Sequence, residues 1–80
     1  MKIKVIVKLK EGVLDPQGQA VLRSIHKMGH QQVKAVRQGK FFELEVDGDD
    51  STTVLELGRK LADSVLSNPI IEVFQVEESV

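Results

Sequence analysis

The sequence predicts a single domain, residues 1–80, of the α+β class, with its elements in the order β-α-β-β-α-β. Three observations support this prediction. Apolar residues alternate with polar residues in residues 2–9 and 33–46, as they do in half-buried strands. Two longer stretches repeat their apolar residues every three or four positions, as amphipathic helices do. Glycine, proline and aspartate lie between these stretches, where turns and helix ends require them.

The first strand and the first helix are predicted from strictly patterned segments. Residues 2–9, KIKVIVKL, alternate between an apolar face and a face that is mainly lysine. Residues 16–28 carry their apolar side chains on one helical face, and Gly29 ends the helix. The apolar residues of that helical face are Val21, Leu22, Ile25 and Met28.

A hairpin is predicted next. Residues 33–46 alternate on both sides of Gln38-Gly39, which predicts two strands and a tight turn with Gly39 at positive φ. Arg37 and Lys40 flank this turn. Two cations at a hairpin tip can meet a phosphate or an acidic partner, but a solvated turn is the favoured interpretation.

The remaining elements are a second helix and a last strand. The helix follows the polar turn DGDD, with Asp50 or Ser51 as its N-cap, and ends before Pro69. Residues 70–76 form the last strand, and the tail, residues 77–80, is expected to fray. This order predicts a ferredoxin-like fold, a four-stranded antiparallel sheet with two helices on one face. The predicted core stripe of the second helix is Val54, Leu57, Leu61 and Val65.

The composition argues against several classes of function. The chain has a net charge of −1, which does not fit a dedicated nucleic-acid-binding protein. It has no cysteine, so no disulfide or thiolate metal site is available. No apolar stretch is long enough for a membrane span or a signal-peptide core. We therefore predict a cytoplasmic protein that acts on neither nucleic acid nor membrane.

No catalytic, cofactor or metal site is predicted. No nucleophile has a base at motif spacing, and no phosphate-binding glycine loop occurs. His26 and His30 are four residues apart, but Gly29 places His30 beyond the helix end, so metal binding is not favoured. The DGDD turn lacks the alternating spacing of a calcium loop.

The loop LKEGVLDPQG, residues 9–18, allows two interpretations. Asp15 is suited to cap the first helix and Pro16 to occupy its first position, while Gly12 predicts a turn with positive φ. Gly18 lies inside the first helical turn, where glycine costs roughly 1 kcal/mol relative to alanine, so it predicts the close approach of another backbone or a ligand. Capping with packing, and binding mainly to a protein, both remain open.

The sheet face opposite the helices is predicted to be an interaction surface. Hydrophobic residues make up 41% of only 80 residues, which favours burial by association. The last strand is apolar on both of its faces, so one apolar set must point outward. Lysine and glutamate around the patch can pair across strands or across a two-fold axis, and we expect a homodimer or tetramer. The predicted interface residues are Lys4, Ile6, Lys8, Phe41, Glu43 and Phe74.

Five motifs occur in a characteristic order. They are V-x-V-x-L-K at 5–10, GVLDPQG at 12–18, VRQGK at 36–40, FELEV at 42–46 and NPIIE at 68–72. In this combination the sequence resembles the PurS family, the small subunits of phosphoribosylformylglycinamidine (FGAM) synthase, over nearly its whole length.

The resemblance implies a non-catalytic partner in an ATP-dependent amidation, the fourth step of purine synthesis. The small subunit would bind no cofactor, whereas the complex uses ATP, magnesium and glutamine. A dimer of it would bridge a large synthetase subunit and a glutaminase subunit, and support assembly and ammonia transfer. The glycines of its loops are then expected to let a neighbouring chain approach. The predicted partner-contact residues are Gly12, Asp15, Pro16, Gly18, Arg37, Gly39 and Lys40.

Two alternatives belong to other classes. An ACT-like regulatory module that binds an amino acid has the same element order and a ligand loop with Asp, Pro and Gly at a similar place. In the present sequence DPQG comes late and is spaced differently, which weakens this alternative. A small hydrolase on this fold would require an anion site of arginine and asparagine, which is not evident.

Overall fold

The computed structural model describes residues 1–79, which form a three-stranded antiparallel sheet and two helices. The sheet order is β2-β1-β3, so the first strand is central. The predicted α+β class is therefore confirmed, but the sheet has three strands rather than four. The elements are β1 (Lys2–Leu9), α1 (Pro16–Lys27), β2 (Lys40–Glu45), α2 (Ser51–Leu61), a π-helical turn (Ala62–Leu66) that continues α2, and β3 (Glu72–Glu78).

The core is built on β1, as its alternation predicts. Ile3, Val5 and Val7 are completely buried, and the residues between them, Lys4 and Ile6, point to the other face. Burial of each such side chain stabilises the fold by about 1.5–3 kcal/mol. Because β1 pairs with both other strands, its backbone groups are hydrogen-bonded on both sides and its apolar side chains are flanked by those of β2 and β3. Half-buried apolar residues of the neighbouring elements complete this core, namely Phe42, Leu44, Leu66, Phe74 and Val76.

Helix α2 packs on β1 and β3 through small residues. Asp50 caps it, as predicted, with its carboxylate accepting from the Thr52 N–H at 3.2 Å. The buried stripe is Val54, Gly58 and Ala62, because glycine and alanine let the helix lie close to the sheet.

The predicted core stripe of α2 is wrong for two of its residues. Leu57 is 40% exposed and Val65 is 73% exposed, although both have the apolar spacing of a buried face. Leu57 and Val65 lie at the sides of the apolar stripe, where a second helix packed beside α2 would cover them. The predicted fold places α1 there, but α1 does not pack beside α2.

Helix α1 does not pack on the sheet, so the prediction of two helices on one face is wrong. The principal contacts between elements join β1 to its two neighbouring strands and α2 to β1 and β3, and α1 takes part in none of them. The described residues measure 48 × 28 × 14 Å. Their radius of gyration is 15.8 Å, against about 12 Å for a compact domain of this length. The chain is elongated because α1 projects from it.

The predicted strand before Gly39 is absent, and with it the hairpin. Residues 33–39 have no regular structure, and β2 begins at Lys40. The polar groups of this segment are engaged elsewhere, because the Gln38 N–H donates to Asp15 and the Arg37 guanidinium donates to backbone carbonyls. Local bonds to the loop before α1 therefore replace the expected strand ladder.

The last strand extends further toward the C-terminus than predicted. Strand β3 starts at Glu72 and includes Glu77 and Glu78, which the sequence assigned to a frayed tail. The Ser79 N–H donates to the Lys2 carbonyl at 2.9 Å, so the pairing with β1 continues to the end of the sheet. Val80, the last residue of that predicted tail, lies outside the described residues.

Candidate functional site

The base of α1 is held by one buried carboxylate. Asp15 Oδ1 accepts the Gly18 N–H at 2.9 Å, and Asp15 Oδ2 accepts the Gln38 N–H at 2.8 Å. Asp15 is only 5% exposed. The predicted N-cap is thus confirmed, with Pro16 at the start of the helix. The same side chain also joins the loop before α1 to the segment before β2, and we call residues 10–18 and 36–39 together the α1 root.

A second link across the α1 root comes from Arg37. Its Nη1 donates to the Val13 carbonyl at 3.1 Å, and its Nη2 donates to the Lys10 carbonyl at 3.1 Å. The favoured interpretation of Arg37 as a cation on a solvated hairpin tip is therefore wrong. The guanidinium bridges two carbonyls of the loop and fixes its path.

Lys40 is not at a tip either. It lies opposite Val7 in the register, on the inner face of the sheet. Its Nζ is 3.3 Å from both carboxylate oxygens of Glu72 and donates to the Leu66 carbonyl at 3.3 Å. A shallow surface depression contains Asp15, Lys40 and Glu72 together, so Lys40 borders the α1 root.

The two glycines of the α1 root that lack positive φ are explained by close contacts within the chain. A Cβ on Gly18 would lie 2.5 Å from the Val36 carbonyl oxygen and 2.5 Å from Asp15 Oδ2. The close approach predicted at Gly18 therefore exists, and the neighbouring backbone belongs to the same chain. A Cβ on Gly39 would collide with the Val7 carbonyl oxygen, and Gly39 has no positive φ, contrary to prediction. Gly12 has the predicted positive φ, +83°.

Leu14 is an exposed residue of the α1 root that the sequence analysis missed. It is 76% exposed, although an apolar residue just before an N-cap commonly packs on the first turn of the helix. Its packing partner in such a staple would be residue 19, which is glutamine. That mismatch is the sequence signal that could have identified Leu14 as free for contact.

The pKa values of two carboxyl groups near the α1 root are lowered. The backbone N–H of Gln38 contributes most to holding the pKa of Asp15 below its usual 3.8, followed by the Gly18 N–H, while burial opposes them. The pKa of Glu72 is lowered first by the Asn68 N–H, which donates to it at 2.7 Å. Burial opposes this shift, and Lys40 adds to it. Hydrogen bonds to the charged form are the cause in both groups.

The outer face of the sheet carries most of the predicted interface residues. In the register Lys4 lies between Glu43 and Glu77, and Ile6 lies opposite Phe41. Lys4 Nζ is 3.3 Å from Glu77 Oε2. Lys8 is on the same face, so five of the six predicted residues share it.

Phe74 is wrongly assigned to the outer face. It lies opposite Val7 and is half-buried on the inner face. Val73, which is opposite Lys8 and exposed, takes the outer position instead. Both faces of β3 are apolar, so the sequence pattern alone does not determine which one meets the core.

Neither a metal site nor a membrane-spanning helix is found in the part of the chain that the structure describes. His26 Nε2 is 2.8 Å from the Val33 carbonyl oxygen, so one ring nitrogen is engaged by the chain itself. Within residues 1–79 no three His, Asp or Glu side chains are grouped so that they could hold a metal ion. In the same part of the chain, every helix is too short or too polar to cross a membrane.

Comparison with known proteins identifies the family. The sequence profile described as "PurS: Phosphoribosylformylglycinamidine (FGAM) synthase" matches residues 2–79. The chain belongs to the PurS family. The PurS subunit of FGAM synthase from Bacillus subtilis is 41% identical over 76 residues, which cover 95% of this chain and 89% of that protein. The recognised resemblance to PurS is thus confirmed, and the ACT-like alternative gains no support.

Solved structures agree with this assignment. The crystal structure of Methanocaldococcus jannaschii PurS, described as a subunit of formylglycinamide ribonucleotide amidotransferase in the purine biosynthetic pathway, matches with a TM-score of 0.86 and 29% identity. It covers 98% of this chain and 94% of that one. The structure of PurLQS from Thermotoga maritima contains a chain with a TM-score of 0.88 and 29% identity, covering 98% and 95% respectively. PurS proteins are subunits of a ligase, FGAM synthase.

Gly18→Ala tests the packing of the α1 root. We expect it to lower the free energy of unfolding by roughly 1–3 kcal/mol, because the added methyl overpacks against Val36 and Asp15. Gln19→Ala, an exposed position directly after the buried Gly18, is the control and should change the free energy of unfolding by less than about 0.5 kcal/mol. Urea denaturation measures both, and a stabilised Gly18→Ala variant would contradict the described contact.

Asp15→Asn tests the lowered pKa of Asp15. A carboxyl group with a lowered folded-state pKa stabilises the fold above its unfolded pKa, here 3.8, and this contribution is lost as the pH falls through the folded value. The wild type should therefore lose more stability than Asp15→Asn between about pH 5 and pH 3. Glu72→Gln is the matched control, because it keeps the slope due to Asp15. Equal slopes for Asp15→Asn and the wild type would refute the assignment.

Proposed function

We propose that this chain is a non-catalytic accessory subunit of FGAM synthase that bridges a synthetase and a glutaminase subunit. The observation that carries the proposal is the similarity of nearly the whole chain to a chain of the PurLQS structure. The complex would amidate formylglycinamide ribonucleotide with ammonia released from glutamine, using ATP and magnesium. The chain itself would hold no cofactor and would support assembly and ammonia transfer in the cytoplasm.

The α1 root is the proposed contact with the other subunits. Leu14 and Pro16 are exposed beside Gly12, so the loop offers apolar side chains and accessible backbone. The links from Asp15 and Arg37 fix this loop before any partner binds. A preordered loop loses little conformational freedom on association, which favours affinity.

The outer face of the sheet is the proposed surface for self-association into a homodimer or tetramer. Ile6, Phe41 and Val73 expose apolar area in its centre, and Phe41 is 60% exposed. Lys4 and Glu43 flank that centre on neighbouring strands. Opposite charges around an apolar centre can complement the same surface of a second copy.

Reconstitution tests the accessory role. The purified chain should show no glutaminase or ATPase activity alone. Added to the synthetase and glutaminase subunits of the same organism, it should restore glutamine-dependent formation of FGAM. Ammonia-dependent formation by the synthetase subunit should change less, because the accessory chain couples the two subunits. Glutaminase activity of the chain alone, or full glutamine-dependent activity without it, would overturn the proposal.

Ile6→Lys tests the outer face. A buried interface cannot accept an added lysine without a partner, so the variant should dissociate while remaining folded. Ile70→Lys is the control, because Ile70 is 80% exposed and outside the sheet. Light scattering at tens of micromolar measures the mass, and circular dichroism checks the fold. A wild-type monomer, or an unchanged mass for Ile6→Lys, would contradict this interface.

A further inference from the structure

The turn between β2 and α2 has no part in the functions proposed above. It contains the sequence DGDD at residues 47–50. Asp47 and Gly48 are exposed, and Gly48 has a φ of +123°. Glycine adopts this conformation readily, whereas residues with a Cβ rarely do. The path of the turn therefore requires a glycine directly after an aspartate.

This turn is held at both ends but not in its middle. The Val46 N–H donates to the Met1 carbonyl at 2.8 Å, and Asp50 caps α2 through the Thr52 N–H. Between these anchors, residues 47–49 make no hydrogen bond and no ion pair within residues 1–79. Exposed backbone without such bonds changes conformation at little cost in free energy. The carboxyl group of Asp47 can therefore approach the backbone nitrogen of Gly48.

An aspartate in this situation can close a ring with the chain. The nitrogen of the following residue attacks the carboxyl carbon and forms a C–N bond, and the carboxyl hydroxyl leaves with the N–H proton as one water molecule. The cyclic imide then takes up one water molecule at either of its carbonyl groups. Opening at the former main-chain carbonyl leaves the chain running through the side chain, which is isoaspartate. No atom is gained or lost overall, and no oxidant or reductant is needed.

Gly48 leaves the attacking nitrogen uncrowded. A side chain on the residue after the aspartate would hinder ring closure, and glycine has none. Beyond the neighbouring residues, the nearest atom to the position of a Cβ on Gly48 is Val54 Cγ2, at 3.7 Å. The space beside the nitrogen is therefore open on the side of the glycine.

The residues that precede the two prolines cannot react in this way. Asp15 is followed by Pro16, and Asn68, the single asparagine of the chain, is followed by Pro69. Proline has no backbone N–H to lose, so the imide cannot form at either position. Both oxygens of Asp15 also accept backbone hydrogen bonds.

The other three aspartates are hindered by their surroundings. Asp49 is followed by Asp50, whose side chain crowds the nitrogen between them. Asp50 uses both of its oxygens, accepting from the Thr52 N–H at 3.2 Å and from the Thr53 hydroxyl at 2.8 Å. Asp63 lies within the π-helical turn, where the backbone N–H groups belong to the helix. Asp47 is free of all these hindrances.

We propose that Asp47–Gly48 is a site of spontaneous backbone modification, at which Asp47 converts to isoaspartate in the folded protein. The ring closes without breaking a hydrogen bond that holds the turn. The product carries a free α-carboxyl group, which isoaspartate carboxyl methyltransferases recognise and methylate. The inference needs this chain alone and is independent of the function proposed above.

The modification should loosen the start of α2. Isoaspartate adds one methylene group to the main chain between Val46 and Asp50, which are both anchored. One of the two anchors must then shift, so the cap of α2 is weakened. The isoaspartate form, separated by reversed-phase chromatography and refolded, should melt at a lower temperature than the unmodified chain treated in the same way. Equal melting temperatures would contradict this consequence.

Ageing of the full chain tests the modification. The protein is incubated at neutral pH and physiological temperature, and tryptic fragment 41–59 is analysed by chromatography and electron-transfer mass spectrometry. We expect an isomer of unchanged mass at Asp47, preceded by an imide lighter by one water molecule. Methyl transfer from S-adenosylmethionine by an isoaspartate methyltransferase should rise in parallel.

A synthetic peptide of residues 44–50 shows whether the fold permits the reaction. The folded chain should form isoaspartate at a rate close to that of the peptide. A rate lower by more than about tenfold, which corresponds to a barrier raised by roughly 1.4 kcal/mol, would overturn the proposal. Isoaspartate that forms only in urea would overturn it as well.

Two matched variants confirm the position. Asp47→Glu keeps the charge and the glycine but requires a six-membered ring, which closes much more slowly, so the methyl-accepting signal should be lost. Asp49→Glu makes the same change two residues away and should keep the signal. Circular dichroism checks that both variants are folded. A signal that survives in Asp47→Glu, or disappears in Asp49→Glu, would assign the modification elsewhere and overturn the proposal.

Discussion

The carboxylate of Asp15 is the interaction on which the arrangement of the other elements depends. It caps α1 through Gly18 and holds the Gln38 backbone, so two segments more than 20 residues apart in sequence meet at one side chain. The same bond diverts residues 33–39 from the sheet, which leaves β2 at an edge. The start of α1 and the path of the segment before β2 both depend on this link.

The elements that the sequence predicts well are those determined by local pattern. The alternation of β1 assigns Ile3, Val5 and Val7 to the core without reference to any other element. Asp15 and Asp50 are recognisable as N-caps because their bonds lie within the next three residues. The interactions that form these elements lie within a few neighbouring residues, so the sequence alone is sufficient to predict them.

The predictions that failed depend on contacts between distant segments. Alternation near Gln38 indicates a strand, but a bond to Asp15, 23 residues away, prevents it. Phe74 and Val73 are equally apolar, and only the register with β1 assigns one to each face. Gly18 correctly predicted that another backbone lies close to the first turn of α1. Which backbone it is could not be predicted, because the neighbour is the carbonyl oxygen of Val36, and a backbone atom leaves no signal in the sequence.

The hydrogen bond between Ser79 and Lys2 has a consequence for the connectivity of the fold. It brings the end of β3 beside the start of β1, so the two could be joined by a short linker without disturbing the sheet. New termini could then be opened near Gly29, just beyond the end of α1 and away from Asp15 and Arg37. A circular permutant of this kind would keep the sheet and the α1 root, while α1 and residues 30–35 would become two separate tails.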